Sequence, residues 1–397
     1  MHNKYRKTIL ACFVSFIVQA VVNNFAPLLF ITFQHTYGIS LSLITTLITI
    51  NFLIQLSVDF ASAFFVDKIG YRTALVMAHT FSALGLILLT ILPEIPGIPP
   101  FVGILISVIF YAVGGGLIEV VGSPVVEACP SDNKEKTMSL LHSFYCWGSV
   151  AVAAVSTAFF SLFGIENWKI LSIFWAIIPI LNGIAFMKVP LCELVPEGEK
   201  KLSVGELFKN RVFILLMLVI TCAGACELSV SQWASAFVES ALGISKSFGD
   251  LVGPALFAVF MGISRVIYGK YGDKLDLEKT MLGSSILCVV GYLALSLTQS
   301  AVLSLVGVAI CGFSVGILWP GTYSTAAASI KGGGNSMFSF LALAGDLGCS
   351  SGPTLVGIAA AAAGDDLKKG ILAAAVFPLL LTVLLVIKLG LRRTKTE

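Results

Sequence analysis

Asp67-Lys68-Ile69-Gly70-Tyr71-Arg72 and Gly269-Lys270-Tyr271-Gly272-Asp273-Lys274 are two short charged stretches, and each closes a long apolar segment. Asp67 and Asp273 stand 206 residues apart. A chain that repeats one polar loop at that distance is built from two similar halves. Composition says what surrounds them. Of 397 residues, 57% are hydrophobic and 12% charged, with a mean hydropathy of +0.95. Soluble domains carry about 25% charged residues. This much apolar surface needs lipid as its solvent.

A membrane-crossing helix takes about 20 apolar residues. Twelve such segments are predicted, near 8–33, 41–66, 73–94, 100–128, 137–163, 168–188, 211–239, 249–269, 280–299, 302–330, 335–362 and 369–390. The first is too long for a signal-peptide core and is expected to stay in the mature protein. Positive charge falls on alternate connections. Twenty of the 25 Lys and Arg, among them Lys68, Arg72, Lys134, Lys136, Lys200, Lys201, Lys270, Lys274, Lys331 and Lys395, lie on one side. Only Lys169, Lys246, Lys368 and Lys369 lie on the other, and Arg265 sits within a segment. That bias puts both termini in the cytoplasm. The longest polar connection includes Glu193, Glu197, Glu199, Lys200 and Lys201 and parts segment 6 from segment 7. The expected architecture is an all-α membrane protein of twelve transmembrane helices. Residues 1–189 form the N-terminal six-helix half, 190–210 a cytoplasmic linker and 211–397 the C-terminal six-helix half.

The nine cysteines include no Cys-x-x-Cys pair and read as small buried residues. Gly332-Gly333-Gly334 lacks the Gly-Lys-Ser/Thr ending of a phosphate-cradling loop. No nucleophile–base or metal constellation is visible, so an enzyme is not expected, nor a cofactor. The expected partners are a small-molecule solute and the lipid bilayer, with no nucleic acid, and the chain is expected to act as a monomer.

The Asp67-Lys68-x-Gly70-x-Arg72 loop resembles the signature loop of the major facilitator superfamily, and the resemblance extends over essentially the whole chain. Ala63 stands at the family's leading Gly, while the second copy keeps Gly269 four residues before Asp273. The resemblance implies the major facilitator fold. It also implies two halves rocking about a midplane site, with Asp67, Arg72 and Asp273 controlling the inner gate.

An ionisable residue inside a bilayer costs about 2.5–3.5 kcal/mol on insertion scales. Asp59, Glu119, Glu227, Arg265 and Asp346 are the five that need a reason. Asp59 and Glu119 sit roughly 10–14 Å above the cytoplasmic edge, at about 1.5 Å per helical residue. Two uses are open to this pair: binding a cation together, or carrying a proton on one of them. Asp59, eight residues before Asp67, resembles the arrangement of melibiose-type sodium–sugar symporters, whose carboxylates on segments 2 and 4 hold the coupling ion. Arg265, eight residues before Asp273, is the equivalent position in the second half. Its expected use is a structural salt bridge, with Asp346 or across the halves; an anchor for an anionic solute is the other. His79 and His142 are expected to be helix contacts rather than proton relays.

Gly114 to Pro124 resembles segment 4 of the fucose permease branch, in which a Glu is followed five residues later by Pro. Glu119 and Pro124 keep that spacing, with Ser123 at the usual Asn. The resemblance makes Glu119 a proton carrier. Glu227 and Trp233 keep the branch's spacing of six, beside Ser229, Ser231 and Gln232, and Trp319-Pro320 is similar to its segment 10. The implied sugar site combines Asn24, Glu227, Gln232, Trp233 and Trp319. Aromatic faces would cover the sugar's C–H face, and polar groups would take its hydroxyls.

Segment 1 departs from that branch. Asn23-Asn24 stands where the branch has Asn-Asp, and Asn24 cannot carry a proton. Asp59 can replace the missing carboxylate, so H+ and Na+ are both open as coupling ions. Gln19, Asn51 and Gln55 add polar groups, and Asn23 and Asn24, about 100° apart on a helix, cannot both face one cavity. Gly348 and Gly352 predict a close helix contact. The implied function is cation-coupled import of a small polar solute, a sugar or polyol, across the cell (inner or plasma) membrane. A proton-driven drug or metabolite exporter is the alternative, though segment 5 lacks the exporters' Gly-Pro signature. A transporter-like solute sensor is the third reading and would need an output domain.

Overall fold

The computed structural model describes residues 2–192, 195, 200–234, 246–364 and 366–393. Glu193, Glu197, Glu199, Lys395 and positions 235–239 of segment 7 lie outside the described residues. The chain folds as α1 (His2–Asn24), α2 (Phe30–Tyr37), α3 (Leu41–Ile69), α4 (Tyr71–Ile91), α5 (Pro100–Ala128), α6 (Lys134–Phe163) and α7 (Trp168–Lys188). After the short α8 (Val204–Lys209) come α9 (Arg211–Ser231), α10 (Lys246–Tyr271), α11 (Leu277–Leu297), α12 (Ala301–Val315) and α13 (Leu318–Ser329). The last are α14 (Gly334–Ala362), α15 (Leu367–Ala374) and α16 (Val376–Arg393).

Ten spans among the described residues are long and apolar enough to cross a membrane. Helices α10 and α14, of 26 and 29 residues, cover two more of the expected segments but are not among the ten. Their sequences are more polar: Lys246, Asp250, Arg265 and Lys270 lie on one, Asp346 and several Gly and Ser on the other. Three expected segments are each broken, and segment 12 divides at Ala375 into α15 and α16. Segment 1 divides at a 3-10 turn, Ala26–Leu29, where Pro27 interrupts the helical ladder. Segment 10 divides into α12 and α13, just before Pro320.

Large apolar side chains cover the outside as well as fill the core. Ile31, Ile170, Leu181, Leu297, Val302 and Ile358 are 62–69% exposed, while Ser15, Asp59, His79, Ser107 and Asn335 are fully buried. Lipid rewards that arrangement, because polar groups must find partners inside the protein.

The chain forms two compact units. One comprises Met1–Ser131, Trp147–Glu197 and Gly334–Ser339; the other Asp132–Cys146, Gly198–Gly333 and Phe340–Glu397. The border thus runs within α6 and within α14. In the first unit α4 packs on α5 and α7, and α5 on α1 and α3. A Cβ on Gly85 would lie 2.5 Å from the Tyr111 nitrogen, and one on Gly114 2.6 Å from the Ala78 oxygen, so backbones touch where α4 meets α5. Phe25, Leu29, Phe33, Leu86, Trp168 and Trp175 fill its core. In the second unit α9 packs on α13 and α16, and α12 on α10 and α11. Helix α14 meets α9 through glycines. A Cβ on Gly352 would lie 2.5 Å from the Ala225 oxygen, and one on Gly348 would overlap the Thr221 oxygen. Thr221 Oγ1 also donates to the Ala344 oxygen at 2.9 Å. The close contact expected at Gly348 and Gly352 is therefore with α9.

Gly348→Ala should lower the melting temperature of the purified protein, at a cost of about 1–3 kcal/mol from overpacking. Gly283→Ala on α11, where a Cβ meets nothing within 4 Å, should leave it unchanged or slightly raised. Equal melting temperatures for the two variants would exclude the close α9–α14 contact.

Candidate functional site

In the first unit, polar residues recur one helical turn apart on three packed helices. Gln19 and Asn23 share a face of α1; Asn51, Gln55 and Asp59 share a face of α3; Gly115 and Glu119 share a face of α5. These faces meet. Gln19 Nε2 donates to Glu119 Oε2 at 2.8 Å, and Gln55 Nε2 donates to Asn23 Oδ1 at 3.1 Å. Gly115 lies beside this amide pair and packs on Val22 of α1, whose Cγ2 a Cβ there would meet at 3.1 Å. Glu119 is half-buried, and Asp59 is fully buried. Amide and carboxylate oxygens gathered on one seam suit a hard cation or a proton.

Asn24 points elsewhere. Its Nδ2 donates to the Ala20 oxygen at 2.8 Å and to Ser149 Oγ at 3.2 Å, so it faces α6 while Asn23 faces α3 and α5.

The second unit holds a buried cation. Arg265 on α10 donates through Nε to the Gly316 oxygen at 2.9 Å. Its Nη1 reaches the His142 oxygen at 2.9 Å and Cys146 Sγ at 3.0 Å. Its acidic neighbour is Glu227 on α9, with Nη2 to Oε2 at 3.6 Å. The expectation was a salt bridge to Asp346 or one across the halves; the acid that the structure puts beside Arg265 is Glu227. Asp346 is half-buried on α14. The Gly316 oxygen accepts from a side chain because Pro320, four residues on, has no N–H to give it. Neither Gly316 nor Cys146 stood out in the sequence, although the Gly316–Pro320 spacing carries the signal.

Trp233 Nε1 donates to the Pro353 oxygen at 3.2 Å, and its ring lies against Gly357 of α14. Trp319 is buried, its indole seated in the notch left by Gly345 and 6.2 Å from the Tyr323 ring. Gln232 caps the end of α9 and is exposed. His142 stacks edge-on with Tyr323 at 5.7 Å. His79 joins three helices. Its Nδ1 lies 2.7 Å from the Leu75 oxygen, which can only accept, so Nε2 accepts from Asn182 Nδ2 at 2.8 Å, beside Ser15 Oγ at 3.2 Å.

The repeated loops make different contacts. Arg72 donates to the Phe186 and Val189 oxygens at 2.5 and 2.9 Å, capping the end of α7. Asp67 is exposed at the end of α3, where Asn335 and Ser336 donate to the Ser62 and Ala63 oxygens at 3.2 and 2.6 Å. Asp273 is ion-paired with Lys136 and accepts from Asn133 Nδ2 at 2.9 Å. Those two bonds, Lys136 first, hold the Asp273 carboxyl below the usual carboxylate range.

The family model of the Major Facilitator Superfamily matches residues 11–394. No curated protein matches the chain. Similar solved structures include the E. coli fucose:proton symporter FucP, 15% identical, with 97% of this chain and 99% of that chain covered at a TM-score of 0.80. The proton:xylose symporter XylE bound to 6-bromo-6-deoxy-D-glucose is 12% identical, with 96% and 95% covered and a TM-score of 0.81. The human organic anion transporter MFSD10 is 13% identical, with 96% and 99% covered and a TM-score of 0.73. At these identities the likeness is one of fold.

Asp273 yields a pH prediction. A carboxyl lowered on folding contributes stability above its unfolded pKa of about 3.9, and loses it as pH falls through the folded value. Lys136→Met should therefore melt below wild type at pH 7, and the gap should close as the pH drops below about 4. A gap that is constant with pH would assign the difference to packing of the lysine stem.

Proposed function

The chain belongs to the Major Facilitator Superfamily, and on that premise we propose that it is a secondary active transporter importing a small polar solute, a sugar or polyol, coupled to H+ or Na+. Two six-helix halves, 1–189 and 211–397, would rock about a midplane site and give alternating access. The protein would work as a monomer in the cell membrane, with twelve crossings and both termini in the cytoplasm.

One observation carries this reading: the seam of α1, α3 and α5, where Gln19 holds Glu119 beside the Asn23–Gln55 pair and the turn that bears Asp59. Glu119 and Asp59 bind the coupling ion. Proton or Na+ uptake there removes charge from the seam and favours one conformation over the other. Asn24, Glu227, Gln232, Trp233 and Trp319 face the solute, and Asp67, Arg72 and Asp273 act at the inner gate. Arg265 and Asp346 keep the second half in register. The fold shared with FucP and XylE, a fucose:proton and a proton:xylose symporter, supports a sugar as cargo.

Uptake of L-fucose, D-xylose, D-glucose and D-mannitol into proteoliposomes under a pH or Na+ gradient tests the reading. Glu119→Gln should abolish gradient-driven uptake while solute exchange persists; lost solute binding would remove the coupling role. Asp59→Asn should erase any response to Na+. Extrusion of lipophilic cations with no sugar uptake would replace import by export. Trp233→Ala should weaken affinity for the transported sugar about tenfold, from the lost ring face; unaltered affinity would leave it as packing against α14.

A further inference from the structure

Arg265 is 3% exposed, and Gly316, His142 and Cys146 fix its Nε and Nη1. Its Nη2 makes no hydrogen bond among the described residues. The nearest acidic oxygen, Glu227 Oε2, lies at 3.6 Å, past the range of about 2.7–3.2 Å for an N–H···O bond. Glu227 likewise makes no hydrogen bond among the described residues, and its side chain keeps 16% exposure against 4% for Arg265. Guanidinium–carboxylate pairs usually close to about 2.7–2.9 Å. This one is held open, with an unused donor facing an unused acceptor.

A hydroxyl group both donates and accepts. Its oxygen, placed about 2.8 Å from each partner, completes a triangle on the 3.6 Å base. We propose that Arg265 is a solute-binding residue, and that Arg265 Nη2 and Glu227 together read a single hydroxyl of a neutral polyol. Nη2 donates to the hydroxyl oxygen, and the Glu227 carboxylate accepts the hydroxyl hydrogen. The pair carries no net charge, so a carboxylate on the solute gains at Arg265 and loses at Glu227, and neutral solutes are preferred. This inference rests on the transporter reading above. It moves Arg265 from a structural role to one that sets specificity.

The test measures binding of D-glucose, L-fucose, D-xylose, D-mannitol and D-glucuronate to the purified full chain, followed by the monodeoxy analogues of the tightest binder. One analogue should lose roughly 10- to 100-fold against wild type, the effect of a hydrogen bond to a charged group. Glu227→Ala should weaken the parent sugar by a similar factor and bind that analogue no worse than the parent. Arg265→Lys, which cannot keep the fixed fork, should do the same; if it fails to fold, Glu227→Ala decides alone. The clamp alone is overturned if a sugar binds but the analogue's loss persists in Glu227→Ala, or if D-glucuronate binds wild type best. Absence of binding by every sugar and polyol would overturn the transporter reading and the clamp together.

Discussion

Pro320 leaves the Gly316 carbonyl without a helical donor, and much of the second unit's polar chemistry follows from that one missing bond. In hydrocarbon a bare carbonyl costs several kcal/mol, so it must be met from inside the protein. Arg265 meets it through Nε. A second difficulty, a cation in the membrane, is eased by the same contact, since carbonyl dipoles from Gly316 and His142 surround the guanidinium. Gly316 also lacks the Cβ that would collide with Ser264 at 2.7 Å, which lets α10 come close enough for the bond to form.

Satisfying polar groups from neighbouring helices requires close backbones, and both units achieve this with small residues. Gly114 and Gly85 bring α4 and α5 into contact in one; Gly348, Gly352 and Gly224 do so for α9 and α14 in the other. Large apolar side chains fill the space between these contacts, as Phe25, Phe33 and Trp168 do in the first unit and Phe257 and Tyr292 in the second, and others cover the lipid-facing surface. The His79, Ser15 and Asn182 cluster shows the same economy, since one buried imidazole closes a network over three helices. Packing and polar satisfaction are thus one constraint with two expressions.

Much of this was legible in the sequence. Apolar segment lengths gave the helices, and the Gly348–Gly352 spacing gave a close contact. The intramembrane carboxylates Asp59 and Glu119 stood out by cost alone. What periodicity could not supply was direction. Asn23 and Asn24 are adjacent, and only the rotation of α1 shows that Asn23 meets Gln55 while Asn24 meets Ser149. Arg265 could be located, but its acidic neighbour depended on which helices pack together, and that contact links residues 38 positions apart on different helices. The breaks at Pro27 and Pro320 were also hidden, because hydropathy runs smoothly through them.

Asp59 and Arg265 stand at equivalent places in the sequence repeat, each eight residues before its loop Asp, and both are buried. Their chemistries differ in one respect that matters. A guanidinium stays charged at any working pH, so its surroundings must hold a constant cation, and fixed backbone dipoles do this well. A carboxylate can exist with or without its charge, so it needs side chains that can serve both states, as amides can by offering either a donor or an acceptor. The Gly316 and His142 carbonyls meet the first demand at Arg265; in the first unit the amides of Gln19 and Gln55 serve Glu119 and Asn23, with Gln55 one helical turn from Asp59 on α3. The ion coupling proposed above would draw on both: a constant charge in one unit as a reference for the solute, and in the other a site whose charge the ion could change.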